Sequence, residues 1–135
     1  MPQKITTSVK SMVEAAEREI ETVSVEDALK LHGRDDVVLV DIRDIRELQR
    51  EGRVPGAFHC PRGMLEFWID PDSIYYKDIF ACGKKFIFYC NLGWRSALAA
   101  QVSQQMGLTP VAHIGGGCDA WREAGGPVAL KDAKK

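Results

Sequence analysis

Several absences narrow the class of protein to which this chain can belong. It has four cysteines and three histidines among 135 residues, without a CxxC pair or zinc-ligand spacing, so we expect free thiols and no metal site. Its formal net charge of −1 lacks the basic excess that nucleic-acid or membrane-surface binding would favour. No run reaches the roughly 20 apolar residues of a membrane helix, and the first residues lack a signal-peptide core. We therefore expect a cytoplasmic protein with neither a nucleic-acid nor a membrane partner.

The residues that are present have the composition of one globular domain. Hydrophobic residues make up 45% of the chain and charged residues 27%, which is typical of folded rather than disordered proteins. A chain of this length buries roughly two-thirds of the surface that its unfolded form exposes. It therefore needs neither a disulfide nor a metal ion in order to fold.

An apolar stripe predicts a helix at the start of the chain. Apolar residues recur at helical spacing from Val9 to Ile20, which indicates an amphipathic helix over 7–21. Ser24 then caps a second helix that ends near Gly33. The stripe must be covered either by this domain or by a second copy of the chain, so a homodimer stays open.

The rest of the chain alternates strands with helices. Periodicity and breaker residues predict strands at 37–41, 85–90 and 110–115, and helices at 96–106 and 118–125. A helix-forming stretch stops at Gly52, and short helical pieces are expected within 62–81. We therefore expect an α/β fold, with a mostly parallel central sheet, helices on both of its faces and an extra N-terminal helix.

A parallel sheet would bring three polar segments to one edge. Ligands bind beyond the carboxyl ends of the strands in such sheets, and these ends are Asp41, Cys90 and Gly115. We therefore expect the segments DIR, CNLGWRS and GGG to meet there.

Cys90 lies where a buried strand leads into the start of a helix. Unpaired N–H groups and the helix dipole favour an anion at such a place, and a loop curled around the sulfur adds further donors. Gly93 permits such a curl, and Arg95 supplies a positive charge. These features predict a depressed pKa for the Cys90 thiol and a nucleophilic thiolate at neutral pH.

The other cysteines lack that setting. The usual role of a free cysteine is that of a buried structural thiol, which is our interpretation of Cys60, Cys82 and Cys118. Cys118 follows the glycine run that should lie near the pocket, so participation of Cys118 or Cys60 in the chemistry stays open.

The ordered motifs resemble those of the rhodanese-like domain. The matching pieces, in order, are VEDALKL, LVDIRDIRELQREGRVPGAFHCPRG, FIFYCNLGWRSALAAQVSQQMGL and VAHIGGGCDAWREAGGPV. The segment PRGMLEFWIDP also resembles a bacterial single-domain subgroup in which the first helix is an addition. The resemblance implies an N-terminal helix extension over 1–21 and a rhodanese-like domain over 22–128. We expect the tail over 129–135 to be frayed, as chain ends commonly are.

This resemblance implies a sulfurtransferase without a metal or organic cofactor. Cys90 would take a sulfane sulfur from a donor such as thiosulfate, become a persulfide and pass the sulfur to cyanide, a small thiol or a protein thiol. The partners would be a small sulfur-containing anion or thiol, and an acceptor protein where a protein thiol takes the sulfur. The loop that would hold the outer sulfur consists of Asn91, Leu92, Gly93, Trp94, Arg95 and Ser96.

Five further residues are expected to support this loop. Asp41, at a strand end, can accept N–H bonds from the loop, and Arg43 can pair with Glu47 one helical turn further on. Gly115 and Gly116, together with the adjacent Gly117, would let the backbone pass close to the loop.

Three aromatic residues are candidates for the rim of the pocket. Trp94 lies within the loop, and Phe67 and Trp68 could contribute to the same rim or to the core. The family often has histidine where this chain has Arg53, which leaves the identity of the acceptor open.

Two alternatives stay open. Cysteine-dependent phosphatases of related fold use a Cys-x5-Arg loop, whereas four residues separate Cys90 from Arg95 here, which would enclose a smaller pocket. A phosphatase also needs a general acid, for which Asp70, Asp72 and Asp78 are candidates. The second alternative is a non-catalytic binding module, which the presence of both Cys90 and Arg95 disfavours.

Overall fold

A parallel sheet of five strands forms the centre of the computed structural model, which describes residues 2–130. The strands are β1 (Glu21–Val23), β2 (Val37–Asp41), β3 (Phe58–His59), β4 (Lys85–Tyr89) and β5 (Val111–Ile114). Their order across the sheet is β1-β5-β4-β2-β3, and every pairing between them is parallel. The prediction of a mostly parallel α/β sheet is confirmed.

Helices cover both faces of this sheet. They are α1 (Val9–Glu19), α2 (Val25–Leu31), α3 (Ile45–Glu51), α4 (Leu65–Ile69), α5 (Trp94–Gln105) and α6 (Gly117–Glu123). Phe86 and Phe88 of β4 belong to a core cluster with residues of α1, α4 and α5, whereas Ile87 and Tyr89 belong to a second cluster with residues of α2 and α6. Both faces are therefore buried, which is why the central strands are continuous apolar runs.

The N-terminal helix is shorter than predicted. It begins after Ser8, whose side chain caps it, and ends at Glu19 rather than at residue 21. Ile20 already has an extended backbone although its side chain joins the core. The chain then forms β1, a three-residue strand that the sequence pattern did not indicate, because two of its residues are exposed.

The apolar stripe of α1 packs on α5 of the same chain. Val13 and Ala16 are buried there. Gln101 donates its side-chain amide to Glu19 Oε1 at 3.1 Å, and Gln104 donates to the Glu19 carbonyl at 2.8 Å. The domain itself therefore covers much of this stripe.

Other boundaries moved by a few residues. Helix α5 begins at Trp94 instead of residue 96, because Gly93 caps it directly with a left-handed φ of 103°. Short 3-10 helices at Arg62–Met64 and Asp78–Ala81, together with α4, confirm the helical pieces expected within 62–81.

The end of the domain is anchored by backbone pairing. Arg53 and Ala129 exchange two N–H···O bonds of 2.8 and 2.7 Å. The backbone at Ala129 is therefore hydrogen-bonded to the rest of the domain. Of the tail that we expected to be frayed, residues 131–135 lie outside the described residues. Within residues 2–130, no helix has both the length and the apolar character needed to cross a membrane.

Candidate active site

The sulfur of Cys90 lies at the N-terminus of α5. Cys90 follows β4 directly and is 2% exposed. The Gly93 amide donates a hydrogen bond to Cys90 Sγ at 3.1 Å, and Ser96 Oγ lies 3.7 Å from the same sulfur. The loop therefore curls around the thiol as its glycine predicted, and the first turn of a helix faces it.

The start of α6 crosses this loop at close range. The Cys118 amide donates to the Cys90 carbonyl at 2.7 Å, and the Asp119 amide donates to the Asn91 carbonyl at 3.1 Å. A Cβ atom on Gly117 would lie 2.5 Å from the Cys90 carbonyl oxygen, so a larger residue cannot occupy this position without displacing the loop.

Two of the glycines expected to support the loop differ in position. Gly116 lies beside it, since its amide nitrogen is 3.4 Å from where a Cβ atom of Gly93 would be. Gly115 instead lies against Thr22 of β1, since a Cβ atom on Gly115 would lie 3.0 Å from Thr22 Cγ2. Of the three consecutive glycines expected to approach the loop, Gly117 comes closest to it.

Asp41 and Arg43 form a buried ion pair at the end of β2. Arg43 Nη2 lies 2.7 Å from Asp41 Oδ2 and Arg43 Nε lies 2.9 Å from Asp41 Oδ1, with both side chains fully buried. Burial by itself lowers the pKa of Arg43, but the hydrogen bonds and charge of Asp41 outweigh it and raise the pKa above its usual value. The guanidinium therefore stays charged.

This pair corrects two expectations. The Asp41 carboxylate is occupied by Arg43 and does not accept N–H bonds from the Cys90 loop. Arg43 does not pair with Glu47; its second ionic partner is Glu51 at the end of α3, whose Oε1 lies 3.4 Å from Arg43 Nη1. Arg43 reaches the loop through Asn91, whose Oδ1 accepts from Arg43 Nη1 at 3.0 Å.

Glu47 holds the loop from the other side. Its carboxylate accepts two hydrogen bonds from Arg95, of 2.9 and 3.1 Å, and one of 3.0 Å from the Asn91 side chain. These bonds, first of all those from Arg95, lower the pKa of Glu47 although partial burial opposes them. The positive charge of Arg95 is therefore already paired, which the sequence pattern did not indicate.

One signal could have drawn attention to Glu47. Asp44 and Glu47 form a capping box at the start of α3, and this motif places a glutamate at the third helical position. Because α3 starts beside the end of β2, the carboxylate lies at the same sheet edge as Cys90.

The predicted aromatic rim divides into exposed and buried parts. Leu92 is 66% exposed and Trp94 48% exposed, so both can meet a partner near the thiol. Phe67 is exposed and contacts Tyr75, with ring centroids 6.3 Å apart. Trp68 packs between Phe58 and Lys77, and therefore belongs to the core rather than to the rim.

Ser96 also contacts a buried histidine that the sequence pattern did not single out. Ser96 Oγ lies 2.9 Å from His113 Nδ1, and His113 Nε2 lies 3.1 Å from Thr22 Oγ1. Burial lowers the pKa of His113 to about 4, so the ring is neutral at pH 7. A histidine within the apolar strand β5 was the available signal, whereas Thr22 belongs to the strand that was not predicted.

The remaining thiols have structural surroundings. Burial raises the pKa of Cys60 to about 12 and also raises the pKa of Cys118, so neither is a thiolate at neutral pH. Cys82 is exposed. Within residues 2–130, no three histidine, cysteine or carboxylate side chains converge as metal ligands would.

The candidate general acids lie far from Cys90. Asp70 lines a cleft with Met106 and Gly107 at the C-terminal end of α5. This end of the helix is about 18 Å from its N-terminal end, where Cys90 lies. Asp72 lies next to it, since its amide donates to Asp70 Oδ1 at 2.8 Å.

Asp78 lies near the amino ends of the strands, at the opposite end of the sheet from Cys90. It opens the 3-10 helix that contains Phe80, whose ring stacks on Phe86 at 5.3 Å. Phe86 is four residues before Cys90, which is about 13 Å along β4.

Comparisons with known proteins agree with this architecture. The family model described as rhodanese-like domain matches residues 24–124. Human thiosulfate:glutathione sulfurtransferase is 26% identical over 108 residues, which cover 76% of this chain and 93% of that protein. The chain spans 58% of the length of two further curated relatives, from mouse and from Synechocystis.

Solved structures give the same fold with different descriptions. A Rhodopseudomonas palustris protein of unknown function, described as a possible tyrosine phosphatase, is 60% identical with a TM-score of 0.93, and the match covers 96% of this chain and 99% of that one. The polysulfide-sulfur transferase homodimer of Wolinella succinogenes is 28% identical with a TM-score of 0.68, covering 93% and 89%.

Proposed function

The chain belongs to the rhodanese-like domain family, and from this premise we propose that it is a sulfurtransferase in which Cys90 carries the transferred sulfur. The observation that carries the proposal is the position of this sulfur, which accepts the Gly93 amide at the N-terminus of α5. Backbone donors and the helix dipole at such a position stabilise an anionic sulfur.

The reaction proceeds in two half-reactions. The Cys90 thiolate attacks the sulfane sulfur of a donor such as thiosulfate, a new S–S bond forms, and sulfite leaves with the electron pair of the broken S–S bond. A nucleophilic acceptor, cyanide or a thiol, then attacks the outer sulfur of the persulfide, and the Cys90 thiolate leaves. Covalent catalysis of this kind has ping-pong kinetics.

The surroundings of the thiol favour a particular kind of partner. The charge of Arg95 is shared with Glu47, so a small sulfur-containing anion has to compete with that carboxylate. Leu92 and Trp94 are exposed beside the thiol, and we assign them to contact with the apolar part of a small thiol or an acceptor protein. The proposal includes a cytoplasmic setting, since the four cysteines are free and a reducing compartment keeps them so.

Phosphate hydrolysis is the second candidate, because the Rhodopseudomonas palustris protein is described as a possible tyrosine phosphatase. Three features weigh against it. Four residues separate Cys90 from Arg95, one fewer than in phosphatase loops. The candidate acids Asp70 and Asp78 lie beside the far ends of α5 and β4, and the lowered pKa of Glu47 keeps this carboxylate ionised and unable to act as an acid.

The test follows the sulfur by mass. The reduced protein is incubated with thiosulfate, its intact mass is recorded, and cyanide is then added and thiocyanate assayed. We expect a gain of one sulfur atom that cyanide discharges, absent in Cys90→Ser and retained in the matched control Cys82→Ser. Cys90-dependent hydrolysis of p-nitrophenyl phosphate without a sulfur gain would instead establish the phosphatase, and a sulfur gain in Cys90→Ser would contradict the assigned nucleophile.

A further inference from the structure

A chain of hydrogen-bonding side chains leads from the Cys90 sulfur to the protein surface. Ser96 Oγ lies 3.7 Å from Cys90 Sγ and 2.9 Å from His113 Nδ1, and His113 Nε2 lies 3.1 Å from Thr22 Oγ1. Ser96 and His113 are fully buried, whereas Thr22 is exposed on the edge strand β1. Building on the proposed function, we propose that this relay of Ser96, His113 and Thr22 carries the thiol proton to solvent when the catalytic thiolate forms.

The position of the sulfur calls for such a route. Cys90 is 2% exposed, so bulk water has little direct access to its proton. The Gly93 amide that contacts the sulfur can only donate, whereas the Ser96 hydroxyl can accept one proton and pass on its own.

The charged groups around the thiol are occupied elsewhere. On α5, the Arg95 guanidinium has donors only and is paired with Glu47 of α3. At the end of β2, the Asp41 carboxylate is already paired with the Arg43 guanidinium. Among the described contacts of the sulfur, Ser96 is therefore the group suited to receive the proton.

The proton balance of the relay is explicit. In the thiol state, the Cys90 S–H donates to Ser96 Oγ, the Ser96 hydroxyl donates to His113 Nδ1, and the ring donates from Nε2 to Thr22 Oγ1. When each proton moves one place outward, the Thr22 hydroxyl proton passes to a water molecule and the sulfur becomes a thiolate. The ring ends with its proton on Nδ1 instead of Nε2 and stays neutral, and no electrons are gained or lost.

The surroundings of His113 suit a neutral ring that changes tautomer. Both ring nitrogens face hydroxyl groups, which can donate or accept. Its neighbour in register on β4 is Phe88, and a Cβ atom on Gly93 would lie 3.8 Å from the ring Cε1 atom. A glycine in the Cys90 loop thus leaves space for this ring.

The outer end of the relay opens to solvent. Thr22 lines a surface cleft together with Glu21, Asp27, Lys30 and Arg34. Water in this open cleft can accept the proton from the Thr22 hydroxyl, and Glu21 and Asp27 are the carboxylates that line the cleft.

The first test reads the tautomer of His113 without any sulfur donor. The reduced full chain, labelled with ¹⁵N-histidine, is titrated by NMR, and the shifts of Nδ1 and Nε2 show which nitrogen carries the proton. We expect the proton to move from Nε2 to Nδ1 over the pH range in which Cys90 becomes alkylated by iodoacetamide, and to stay on Nε2 in Cys90→Ser. One tautomer throughout that range, or the same change in Cys90→Ser, would overturn the relay.

The second test removes the outer hydroxyl. A Thr22 hydroxyl that donates to Nε2 stabilises the tautomer in which Nδ1–H donates to Ser96 Oγ, and the Ser96 hydroxyl in turn donates to the thiolate. In Thr22→Val, the pH of half-maximal Cys90 alkylation, followed on the Cys90 peptide by mass spectrometry, should rise by about half to one unit. Thr22→Ser should restore the original value.

A matched control separates the relay from the loss of a hydroxyl as such. Ser103 lies on the same helix as Ser96, and among residues 2–130 its Oγ is the buried side-chain polar atom without a hydrogen-bond partner. Ser103→Ala should leave the alkylation profile unchanged, and His113→Asn should raise its midpoint as Thr22→Val does. Equal midpoints for Thr22→Val and the unmodified protein, or no rescue by Thr22→Ser, would contradict the relay.

The outcomes distinguish the relay from the proposed function. A persulfide that forms with thiosulfate while the tautomer and the Thr22→Val midpoint stay unchanged would overturn the relay and leave the sulfurtransferase standing. A tautomer change and a raised midpoint without persulfide formation would support the relay and contradict the sulfurtransferase.

Discussion

Acidification should destabilise the fold through His113. Burial lowers the pKa of His113 to about 4 in the folded protein, against 6.5 for the free side chain. Below pH 6.5 the unfolded chain binds a proton that the folded protein excludes. The free energy of unfolding should therefore have its highest value, as far as His113 is concerned, above about pH 6.5, and should fall as the pH drops from 6.5 to 4.

The size of the effect follows from the two pKa values. Their difference corresponds to about 3 kcal/mol once the site is fully protonated, of which about 2 kcal/mol is already lost at pH 5. A domain of this kind has a total stability of roughly 5–15 kcal/mol, so a loss of this size is readily measured.

Urea unfolding at about pH 7.5 and about pH 5 measures this loss. His113→Asn removes the titrating ring and keeps a hydrogen-bonding side chain next to Ser96. The pH dependence of its stability should be smaller by about 2 kcal/mol than that of the unmodified protein. Asp44 and Glu47, whose pKa values are lowered by Arg46 and Arg95 respectively, contribute in both proteins and cancel in the comparison.

A specific result would refute this reasoning. If both proteins lose the same free energy of unfolding between these two pH values, the ring is not held neutral in the folded state. An NMR titration of the His113 ring checks the same point, since a midpoint near 6.5 would contradict the burial argument directly.

Three further substitutions test other parts of the site. Gly117→Ala places a Cβ atom 2.5 Å from the Cys90 carbonyl oxygen. It should destabilise the protein by about 1–3 kcal/mol more than Gly83→Ala, because Gly83 has a similar positive φ but open space around it. Equal losses of unfolding free energy in urea would show that α6 does not cross the Cys90 loop tightly. Arg43→Met leaves a buried carboxylate without its partner and should cost about 3–5 kcal/mol in the same assay, and a loss below about 1 kcal/mol would contradict the buried pair. Glu47→Gln releases the charge of Arg95 and should lower KM for thiosulfate up to about fivefold; a raised KM in steady-state kinetics would count against competition between carboxylate and donor.

Long apolar strands made most of the fold predictable. The runs at 37–41 and 85–90 are buried on both faces and have few alternatives to a central strand. The short strand β1 could not be predicted, because three residues of which two are exposed carry no periodicity. The first helix was predicted too long for a related reason, since the side chain of Ile20 continues the helical stripe while its backbone is already extended.

The candidate site was predictable in position but not in its pairings. A cysteine between a strand and a helix places the thiol at the sheet edge, whichever residues surround it. The pairing of Arg43 with Glu47 assumed that both residues lie on one helix, but α3 begins at Ile45, so helical spacing does not apply to Arg43. Arg43 instead pairs with Asp41, only two residues before it. The partner of Glu47, Arg95, comes from a distant part of the chain and depends on how separate segments fold together.

The strand order has a consequence for how motion is distributed around the thiol. β4 is the middle strand of the sheet, with β5 on one side and β2 on the other. Its backbone amides should exchange with deuterated water only when the whole domain unfolds, whereas those of the edge strand β1 can exchange through local opening. Cys90 directly follows β4, so its Cα atom is tied to the part of the molecule that we expect to exchange most slowly. Local fluctuation at the thiol is thereby confined to the few loop residues before α5.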